Sequence, residues 1–476
     1  MRRVSLLLIS LLSVVGLHAQ TADDLDASFA KARQELDAAR KEFADSADAA
    51  LADYLEYEAQ LFKEYERYRD EVMETWGDSV MVESTRKEWV EYSGDRTSRT
   101  SVNWESGKVS IEVLTDPSDD EETVRAKLEK AVSELLSSRG TTCGFESSVL
   151  PSKPISDRPL LEGQIDLSSY GVSSDATSTA PKPFAGREVS APAPTRGSLD
   201  LSRNKANAAV DRKPAPVPAT QGETMAEKMA RQRKEAEAAQ QKAKEQAKEQ
   251  EEKRLKELEA LASVPTAVVA SQTPQVQTVK TAEGAKNVVT ITMELVEDHI
   301  PKRAEKFKEM ISRHSSAYSV DEPLIYAIME QESAFNPAAQ SWVPAYGLMQ
   351  LVPKSGGRDA YRYVHKEDAI PSADFLFDPN NNIQLGTGYL KLLMSTTFKK
   401  VENAQCRMLC AIAAYNTGAG NVSRAINGTT NISKAIPTIN TMSYNQLFAH
   451  LKKALPHAET QDYIQKVTTK MQKYIK

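Results

Sequence analysis

The chain has 476 residues, of which 40% are hydrophobic and 26% charged, and its formal net charge is −6. This length predicts two or three domains plus some unfolded sequence, because a domain typically takes about 150 residues. One continuous globule is excluded because ten of the 22 Pro lie between positions 151 and 218, and a dense disulfide framework is excluded because there are only three Cys. The charge is uneven. Residues 301–476 hold 21 Lys and Arg against 14 Asp and Glu, which suits an anionic polymer.

The first 19 residues have the pattern of a secretory signal peptide. Arg2 and Arg3 precede an apolar run from Val4 to Leu17, and Ala19 offers a small residue for cleavage. The run is too short to cross about 30 Å of hydrocarbon, which argues against a membrane anchor. There is no lipid-acceptor Cys near the cleavage site, and no later segment is apolar enough to be a transmembrane segment. We therefore expect a mature protein outside the cytoplasm.

Residues 20–149 are predicted to form an N-terminal helical and α+β domain. Apolar residues recur every three or four positions over 25–43 and again over 54–72, which predicts amphipathic helices. Apolar and polar residues then alternate on both sides of a Gly-containing turn within 101–113, which predicts a β-hairpin. A further helix is predicted over 121–136.

The middle of the chain differs in composition. Residues 150–224 are rich in Pro, Ser, Ala and Thr without periodicity and are predicted to be a disordered linker. Residues 225–262 contain ten Lys and Arg and nine Glu, often four apart, which predicts a charged solvated helix. A coiled coil is the less favoured alternative. A second linker is predicted over 263–285. Residues 286–300 alternate like a strand, and we expect this strand to return to the hairpin's sheet because a single strand is not stable alone.

Residues 301–476 are predicted to be a compact helical domain, and its first notable feature is a helix over 324–333 that contains two carboxylates. At 100° per residue, Glu330 and Glu332 point about 200° apart and cannot both line one cleft. Partial burial of Glu332 near the helix end would raise its pKa and let it act as a general acid. A surface glutamate is the simpler interpretation of that residue taken alone.

Further motifs follow Glu332 in a definite order. Gly347-Leu348-Met349-Gln350 comes fifteen residues later, Ala414-Tyr415-Asn416 leads into a Gly-containing loop, and Tyr463 lies near the end. This order and spacing resembles the catalytic domain of the family 1 lytic transglycosylases, the soluble-lytic-transglycosylase or goose-lysozyme-like fold. The resemblance is specific because four motifs occur in order, whereas any one alone would be weak.

The N-terminal part carries a second resemblance. Residues 87–92 with the hairpin, and residues 289–293 leading into Lys302-Arg303-Ala304, are similar to the N-terminal domain of the membrane-bound lytic murein transglycosylase C family. The chain departs from that family in lacking a lipid-acceptor Cys and in carrying the insertion at 150–285. The fold class expected is mainly α: a lysozyme-like helical catalytic domain with a small α+β N-terminal domain and a long disordered or helical insertion.

The resemblance implies a reaction and a set of site residues. The substrate would be the peptidoglycan glycan strand, cleaved at the MurNAc–GlcNAc β-1,4 bond to leave 1,6-anhydro-MurNAc, in the periplasm or associated with the envelope. Glu332 corresponds to the single catalytic acid/base. The corresponding substrate-binding residues are Ser333 (for the N-acetyl group), Met349 and Gln350 (lining the cleft), and Tyr415, Asn416 and Tyr463 (contacting sugar or positioning the acid).

The count of carboxylates fits this implication. Ordinary glycosidases use two, but here only Glu332 is a good candidate. Asp359, Asp374 and Asp378 are the nearest others, and Asp378, which precedes Pro379, is better interpreted as a helix cap. One carboxylate suffices where the substrate's acetamido group assists.

Other ligands are predicted to be absent. His314, His365, His450 and His457 lack metal-ligand spacing, so we expect no metal and no cofactor. The Gly residues at 418 and 420 follow a helix, which argues against a phosphate loop. The excess of Lys and Arg in residues 301–476 would also suit nucleic acid, but the signal peptide argues against that partner.

Two questions stay open at this stage. Cys406 and Cys410 are better explained by burial than by a bridge closing so short a loop, and the pairing of Cys143 is unassigned. Three functions remain: a lytic transglycosylase, a hydrolytic muramidase on the same fold, or a non-catalytic cell-wall scaffold. Residues 225–262 are a candidate contact for a cell-envelope protein.

Overall fold

The computed structural model describes residues 49–77, 81–142, 144–150, 152–156, 158–170, 263–341 and 344–475, together with positions 30, 31, 33, 34 and 37. The predicted signal peptide, the linker from residue 171 to 224, the charged helix at 225–262 and Cys143 lie outside these residues, as does most of the helix predicted over 25–43. The elements below belong to one unit, formed by residues 1–172 and 264–476.

A five-stranded antiparallel sheet lies at the centre of the N-terminal part. Its strands are β1 (Glu88–Tyr92), β2 (Ser98–Asn103), β3 (Lys108–Thr115), β4 (Gln275–Thr281) and β5 (Gly284–Glu294), in the order β1-β2-β3-β5-β4. Strands β2 and β3 form the expected hairpin, in which Gly107 takes a φ of +77° that suits glycine. Strand β5 pairs with β3, with Ile111 opposite Ile291, so the strand predicted at 286–300 lies in the hairpin's sheet, but it ends at Glu294 and the last two of its predicted residues begin a helix.

Helices cover both faces of this sheet. Helix α1 (Ala49–Trp76) contributes Val72 and Trp76 to a cluster with Tyr92 and Val288. Helix α2 (Glu121–Ser137), capped by Asp120, packs residues such as Leu128 against the other face. Alternate strand residues therefore point into two separate apolar clusters, as the period of a strand requires.

The structure differs from the linker interpretation of residues 263–285. Helix α3 (Val264–Ala270) buries Val264 and Val268 beside α2, and β4 forms the edge of the sheet in a hairpin with β5. The sequence signal is weak for a physical reason. Helix α3 is short and rich in β-branched residues, which have low helix propensity, and only Val279 and Thr281 of β4 are buried.

Residues 150–170 also differ from the predicted linker. Leu160, Leu161 and Leu167 are buried in the same cluster as α2, and Ile165 bridges to Leu295 beside the sheet. Isolated leucines in an irregular segment have no period, so their burial is decided by tertiary packing rather than by a local pattern.

The C-terminal part is helical, as predicted, and the mainly α fold class is confirmed. Its helices are α4 (His299–Glu305), α5 (Lys308–Tyr318), α6 (Glu322–Ser333), α7 (Arg358–His365), α8 (Ala373–Phe377), α9 (Pro379–Leu392), α10 (Ala404–Thr417), α11 (Ala419–Asn427), α12 (Ile432–Asn440), α13 (Tyr444–Ala454) and α14 (Ala458–Tyr474). Helices α6 and α10 are central, and residues such as Ile328 and Ile412 are fully buried in one large core. Cys406 and Cys410 are free, buried thiols within α10.

The sheet and the helical part meet at a buried arginine. The Arg303 guanidinium on α4 donates to the carbonyl oxygen of Trp104 at 2.7 Å and to that of Ala334, just after α6, at 3.1 Å. Its guanidinium also lies over the Trp104 ring, 4.9 Å from the centroid. This contact fixes the end of α6 against the sheet. Within the described part of the chain, no helix combines the length and apolar character needed to cross a membrane.

Candidate active site

Helix α6 places Glu332 one residue from the helix end. The helix begins after Asp321 with Pro323 in its first turn, where proline is tolerated, and its apolar residues are buried in the main core. It ends because Ala334 and Phe335 take left-handed φ values of +48° and +61°. The Ala334 N–H still donates to the Glu330 carbonyl at 3.2 Å. This termination holds the Glu332 side chain at a defined point beside α14.

The Glu332 carboxyl is 4% exposed and has a different partner at each oxygen. The Tyr463 hydroxyl donates to Oε1 at 2.6 Å, and the Arg86 Nη1 donates to Oε2 at 3.3 Å. Burial raises the pKa of Glu332 above its ordinary value, although Arg86 and the Tyr463 hydrogen bond oppose that shift. The direction is the one that a general acid requires.

The neighbouring Glu330 is also buried but faces other partners. Its carboxylate accepts from Lys473 Nζ at 2.9 Å and from the Tyr474 hydroxyl at 2.7 Å. Burial tends to raise the pKa of Glu330, but these hydrogen bonds outweigh it and hold the pKa below the ordinary value. The two carboxylates of α6 therefore have opposite pKa shifts. Glu330 is ionised and anchors α14, whereas Glu332 is suited to hold a proton.

The loop after α6 is fixed by buried hydrogen bonds. Gly347 has a φ of +76°, and a Cβ there would lie 2.4 Å from the Leu376 carbonyl oxygen, so only glycine fits. The Asn382 amide on α9 donates to the carbonyls of Tyr346 and Leu376 at 2.8 and 2.7 Å, and its oxygen accepts from the Met349 N–H at 2.8 Å. The Gly347-Leu348-Met349-Gln350 motif is thus a rigid turn.

Three predicted substrate-binding residues are parts of this turn or hold it. The Ser333 hydroxyl is fully buried and lies 2.8 Å from the Leu348 carbonyl oxygen and 3.0 Å from that of Met329. Met349 is fully buried, and Gln350 is 8% exposed with its Nε2 donating to the Ala339 and Gly347 carbonyls. In this state the three side chains shape the site rather than face solvent.

The remaining predicted residues come from α10 and α14. The Tyr415 hydroxyl donates to the Met349 carbonyl at 2.8 Å, which ties α10 to the turn. The Asn416 Oδ1 accepts from the Thr460 hydroxyl at 2.7 Å, which ties α10 to α14 three residues before Tyr463. Of the predicted set, Tyr463 is the residue that hydrogen-bonds to the Glu332 carboxyl, while the others are linked to it through the turn and the helix ends.

The sequence reasoning did not single out Arg86 or Glu459. The Arg86 Nη2 donates to Glu459 Oε1 at 2.9 Å, so one guanidinium joins two carboxylates. Arg86 precedes β1 and is separated from Glu332 by 246 positions, so no local pattern indicates the contact. Glu459 lies four residues before Tyr463, on the same face of α14, and that spacing is the one signal that could have drawn attention to it.

The other acidic candidates lie in different surroundings. Asp378 accepts from the Asn381 N–H at 2.8 Å, so its interpretation as a helix cap is confirmed. Asp374 pairs with Lys153, and Asp359 pairs with Arg362 at 2.8 Å. Among the described residues, no group of three or more His, Cys, Asp or Glu is placed to hold a metal ion.

Comparisons with known proteins match one segment of the N-terminal part and one segment of the C-terminal part. The family model described as Transglycosylase SLT domain matches residues 309–436, and that of the Membrane-bound lytic murein transglycosylase C, N-terminal domain matches residues 54–170. The resemblance inferred from the motifs is thereby confirmed. The second match extends through 150–170, in keeping with the buried leucines of that segment.

Curated relatives carry the name that appears in the second family model. Membrane-bound lytic murein transglycosylase C of Klebsiella pneumoniae is 41% identical over 191 residues, which is 40% of this chain and 52% of that protein. The protein of that name from Yersinia pestis is 40% identical over 184 residues, covering 39% and 51%. The chain thus spans about half the length of the curated relatives it matches.

Solved structures are also similar over part of the chain. Lytic transglycosylase Slt from Pseudomonas aeruginosa is 27% identical, with a TM-score of 0.28, covering 35% of this chain and 23% of its own. The 70 kDa soluble lytic transglycosylase from Escherichia coli is 24% identical, with a TM-score of 0.28, covering 37% and 25%.

Proposed function

We propose that this protein is a lytic murein transglycosylase that cleaves the MurNAc–GlcNAc β-1,4 bond of peptidoglycan and forms 1,6-anhydro-MurNAc. The single observation that carries the proposal is the buried Glu332, whose pKa is raised by burial and whose Oε1 is held by Tyr463. The named relatives are lytic murein transglycosylases, which supports the same substrate class.

The chemistry can be derived from the two states of Glu332. In its protonated state Glu332 gives its proton to the glycosidic oxygen as the bond from that oxygen to C1 breaks. The substrate's acetamido oxygen stabilises the charge that develops at C1. The resulting carboxylate then takes the proton of the muramoyl 6-hydroxyl, whose oxygen bonds to C1. The acid is regenerated and no water is consumed.

The surrounding residues have supporting roles in this proposal. Tyr463 orients the carboxyl and stabilises its ionised state between the two proton transfers. Ser333, Met349 and Gln350 build the turn that forms the floor of the glycan cleft, and Tyr415 fixes that turn to α10. Asn416 joins α10 to α14 and so holds Tyr463 in place. These roles are positional, because in the substrate-free state each side chain is engaged with the protein.

The test compares the two carboxylates of α6, Glu332 and Glu330. Purified peptidoglycan is digested with the native protein, the Glu332→Gln variant and the Glu330→Gln variant as matched control, and the products are analysed by mass spectrometry. We expect products one water lighter than hydrolytic products from the native protein and from Glu330→Gln, and none from Glu332→Gln. Undiminished cleavage by folded Glu332→Gln would refute the assignment.

A hydrolytic muramidase is the second candidate, because Glu459 is a second carboxylate that shares Arg86 with Glu332. Such an enzyme could use Glu459 as the base that activates water. It would give products with free reducing ends, and Glu459→Gln would abolish cleavage. Anhydro products that persist in Glu459→Gln would favour the transglycosylase.

We place this activity at the cell envelope because its substrate is peptidoglycan. A periplasmic location rests on the signal-peptide pattern of residues 1–19, which N-terminal sequencing of the mature protein would test: a chain beginning at Gln20 supports cleavage after Ala19.

A further inference from the structure

The contact between Arg86 and Glu332 joins the two parts of the molecule at the site itself. Arg86 lies in the segment before β1, in a turn where the Thr85 N–H donates to the Glu88 carbonyl at 2.7 Å. Its guanidinium lies 3.3 Å from the buried Glu332 and 2.9 Å from Glu459. The Arg86 and Glu459 side chains are 34% and 43% exposed, so the cation can move between its partners without entering the core.

The hydrogen-bond geometry restricts where Glu332 can hold a proton. A guanidinium is only a donor, so Oε2 cannot carry a hydrogen aimed at Arg86 while this contact is made. Tyr463 occupies Oε1 and can donate or accept. The proposed reaction needs a proton on the oxygen that meets the glycosidic bond. In the structure Tyr463 donates to Oε1 and Arg86 donates to Oε2, so both oxygens accept, which is the arrangement of the ionised acid before it takes up the proton used in catalysis.

We propose that Arg86 is a positioning residue that holds Glu332 ionised in the substrate-free protein, and that Glu459 takes over the guanidinium when Glu332 acquires its proton. The kinetic effect of this inference rests on the proposed function. The exchange of Arg86 between Glu332 and Glu459, however, takes place in the substrate-free protein. The N-terminal sheet part thereby controls the protonation state of the helical part's acid.

The charges facing Glu332 come from three elements. Arg86 and Lys87 come from the segment that leads into β1, and both favour the ionised form. Glu459 and Tyr463 come from α14, where Glu459 disfavours the ionised form and Tyr463 favours it through its hydrogen bond. Tyr415 of α10 also lies near, and burial and the Glu332 charge raise its pKa, so it stays neutral. Arg86 and Glu459 therefore act on the carboxyl in opposite directions.

The two variants have opposite expected effects. Arg86→Gln removes the cation, so the pKa of Glu332 rises and the general acid stays protonated to higher pH. Glu459→Gln leaves Arg86 with Glu332 alone and removes a negative neighbour, so the pKa falls. We expect the alkaline limb of the kcat/KM profile on soluble glycan strands to move up by about one pH unit in Arg86→Gln, since an opposite charge at this distance typically has at least that effect. In Glu459→Gln we expect the limb to move down.

Controls separate this role from a structural one. Arg86→Lys keeps the charge, so its alkaline limb should lie close to that of the native protein. Arg125→Gln removes a cation from an exposed ion pair on α2 and should leave the alkaline limb unchanged. A variant that merely weakens the fold would lower activity at every pH without moving the limb. Superposed profiles for native protein and Arg86→Gln, or limbs that move in the same direction in Arg86→Gln and Glu459→Gln, would overturn the proposal.

A second measurement needs no substrate. The Glu332 carboxyl, identified by its loss in Glu332→Gln, is titrated by ¹³C NMR in native protein, Arg86→Gln and Glu459→Gln. We expect the midpoint to be highest in Arg86→Gln and lowest in Glu459→Gln. If that order is found although peptidoglycan yields no products, the electrostatic inference stands and the proposed function fails. If products form but the midpoints coincide, the inference fails alone.

Discussion

Replacement of Tyr463 by Phe removes one buried hydrogen bond to Glu332 and leaves the ring in place. The Tyr463 hydroxyl is 2.6 Å from Oε1 and the tyrosine is 1% exposed, so no water replaces the lost donor. A hydrogen bond to a charged group contributes about 1.5–3 kcal/mol, and one between neutral groups about 0.5–1.5 kcal/mol. The cost of Tyr463→Phe to the free energy of unfolding therefore depends on whether Glu332 is ionised.

The sign of the pH dependence follows from burial. Burial raises the folded-state pKa of Glu332 above the ordinary value of 4.5, so the folded protein binds this proton more tightly than the unfolded chain. The stability that the Glu332 carboxyl contributes is fully present below its pKa in the unfolded chain. It is lost as pH rises through its pKa in the folded protein. Tyr463→Phe removes a hydrogen bond that opposes the upward shift, so the pKa rises further and more stability is lost at neutral pH.

Urea unfolding at two pH values measures this difference. We expect Tyr463→Phe to lower the free energy of unfolding by about 1.5–3 kcal/mol at pH 7.5, and by about 1 kcal/mol near pH 4, where the carboxyl is protonated in both states. An equal loss at both pH values, or a loss below about 0.5 kcal/mol at pH 7.5, would refute the reasoning.

Tyr474→Phe is the matched control, because the Tyr474 hydroxyl donates to the other carboxylate of α6, Glu330, at 2.7 Å. It should lower stability but leave the pH profile of cleavage in place, since Lys473 keeps Glu330 ionised. Tyr463→Phe should instead move the alkaline limb of that profile to higher pH.

Three further changes test the packing around the site. Glu330→Gln should lower the free energy of unfolding by about 1–3 kcal/mol in urea while cleavage products stay the same, because Glu330 anchors α14 and does not face the acid. Lys354→Met should cost about 3–5 kcal/mol by leaving the buried Glu58 unpaired, and adding Glu58→Gln should restore part of it in a double-mutant cycle. Gly347→Ala should cost about 3 kcal/mol, because its φ is left-handed and a Cβ would meet backbone and Asn382 at 2.4 Å; calorimetry would show a lowered Tm.

The sequence by itself determined the elements that have a local hydrophobic period or that are marked by turn or capping residues. Alternation on both sides of Gly107 predicted the β2–β3 hairpin, the three-and-four spacing predicted α1, a mostly apolar run predicted α6, and Asp378 before Pro379 predicted a helix cap. The order of the motifs from Glu332 to Tyr463 indicated the family resemblance. Each of these signals depends on residues that are close in the chain or on a fixed order along it.

The tertiary structure alone decided which groups meet. Ser333 and Met349 lie at the expected positions in the motifs, and packing buries both side chains, which no local pattern indicates. Leu160, Leu161 and Leu167 and the short elements at 264–281 are ordered by contact with the sheet and with α2, and not by their own propensity. Arg86 reaches Glu332 across 246 positions, and an ion pair between such distant residues leaves no periodic trace in the sequence. The charge that sets the state of the acid is therefore visible only once the chain has folded.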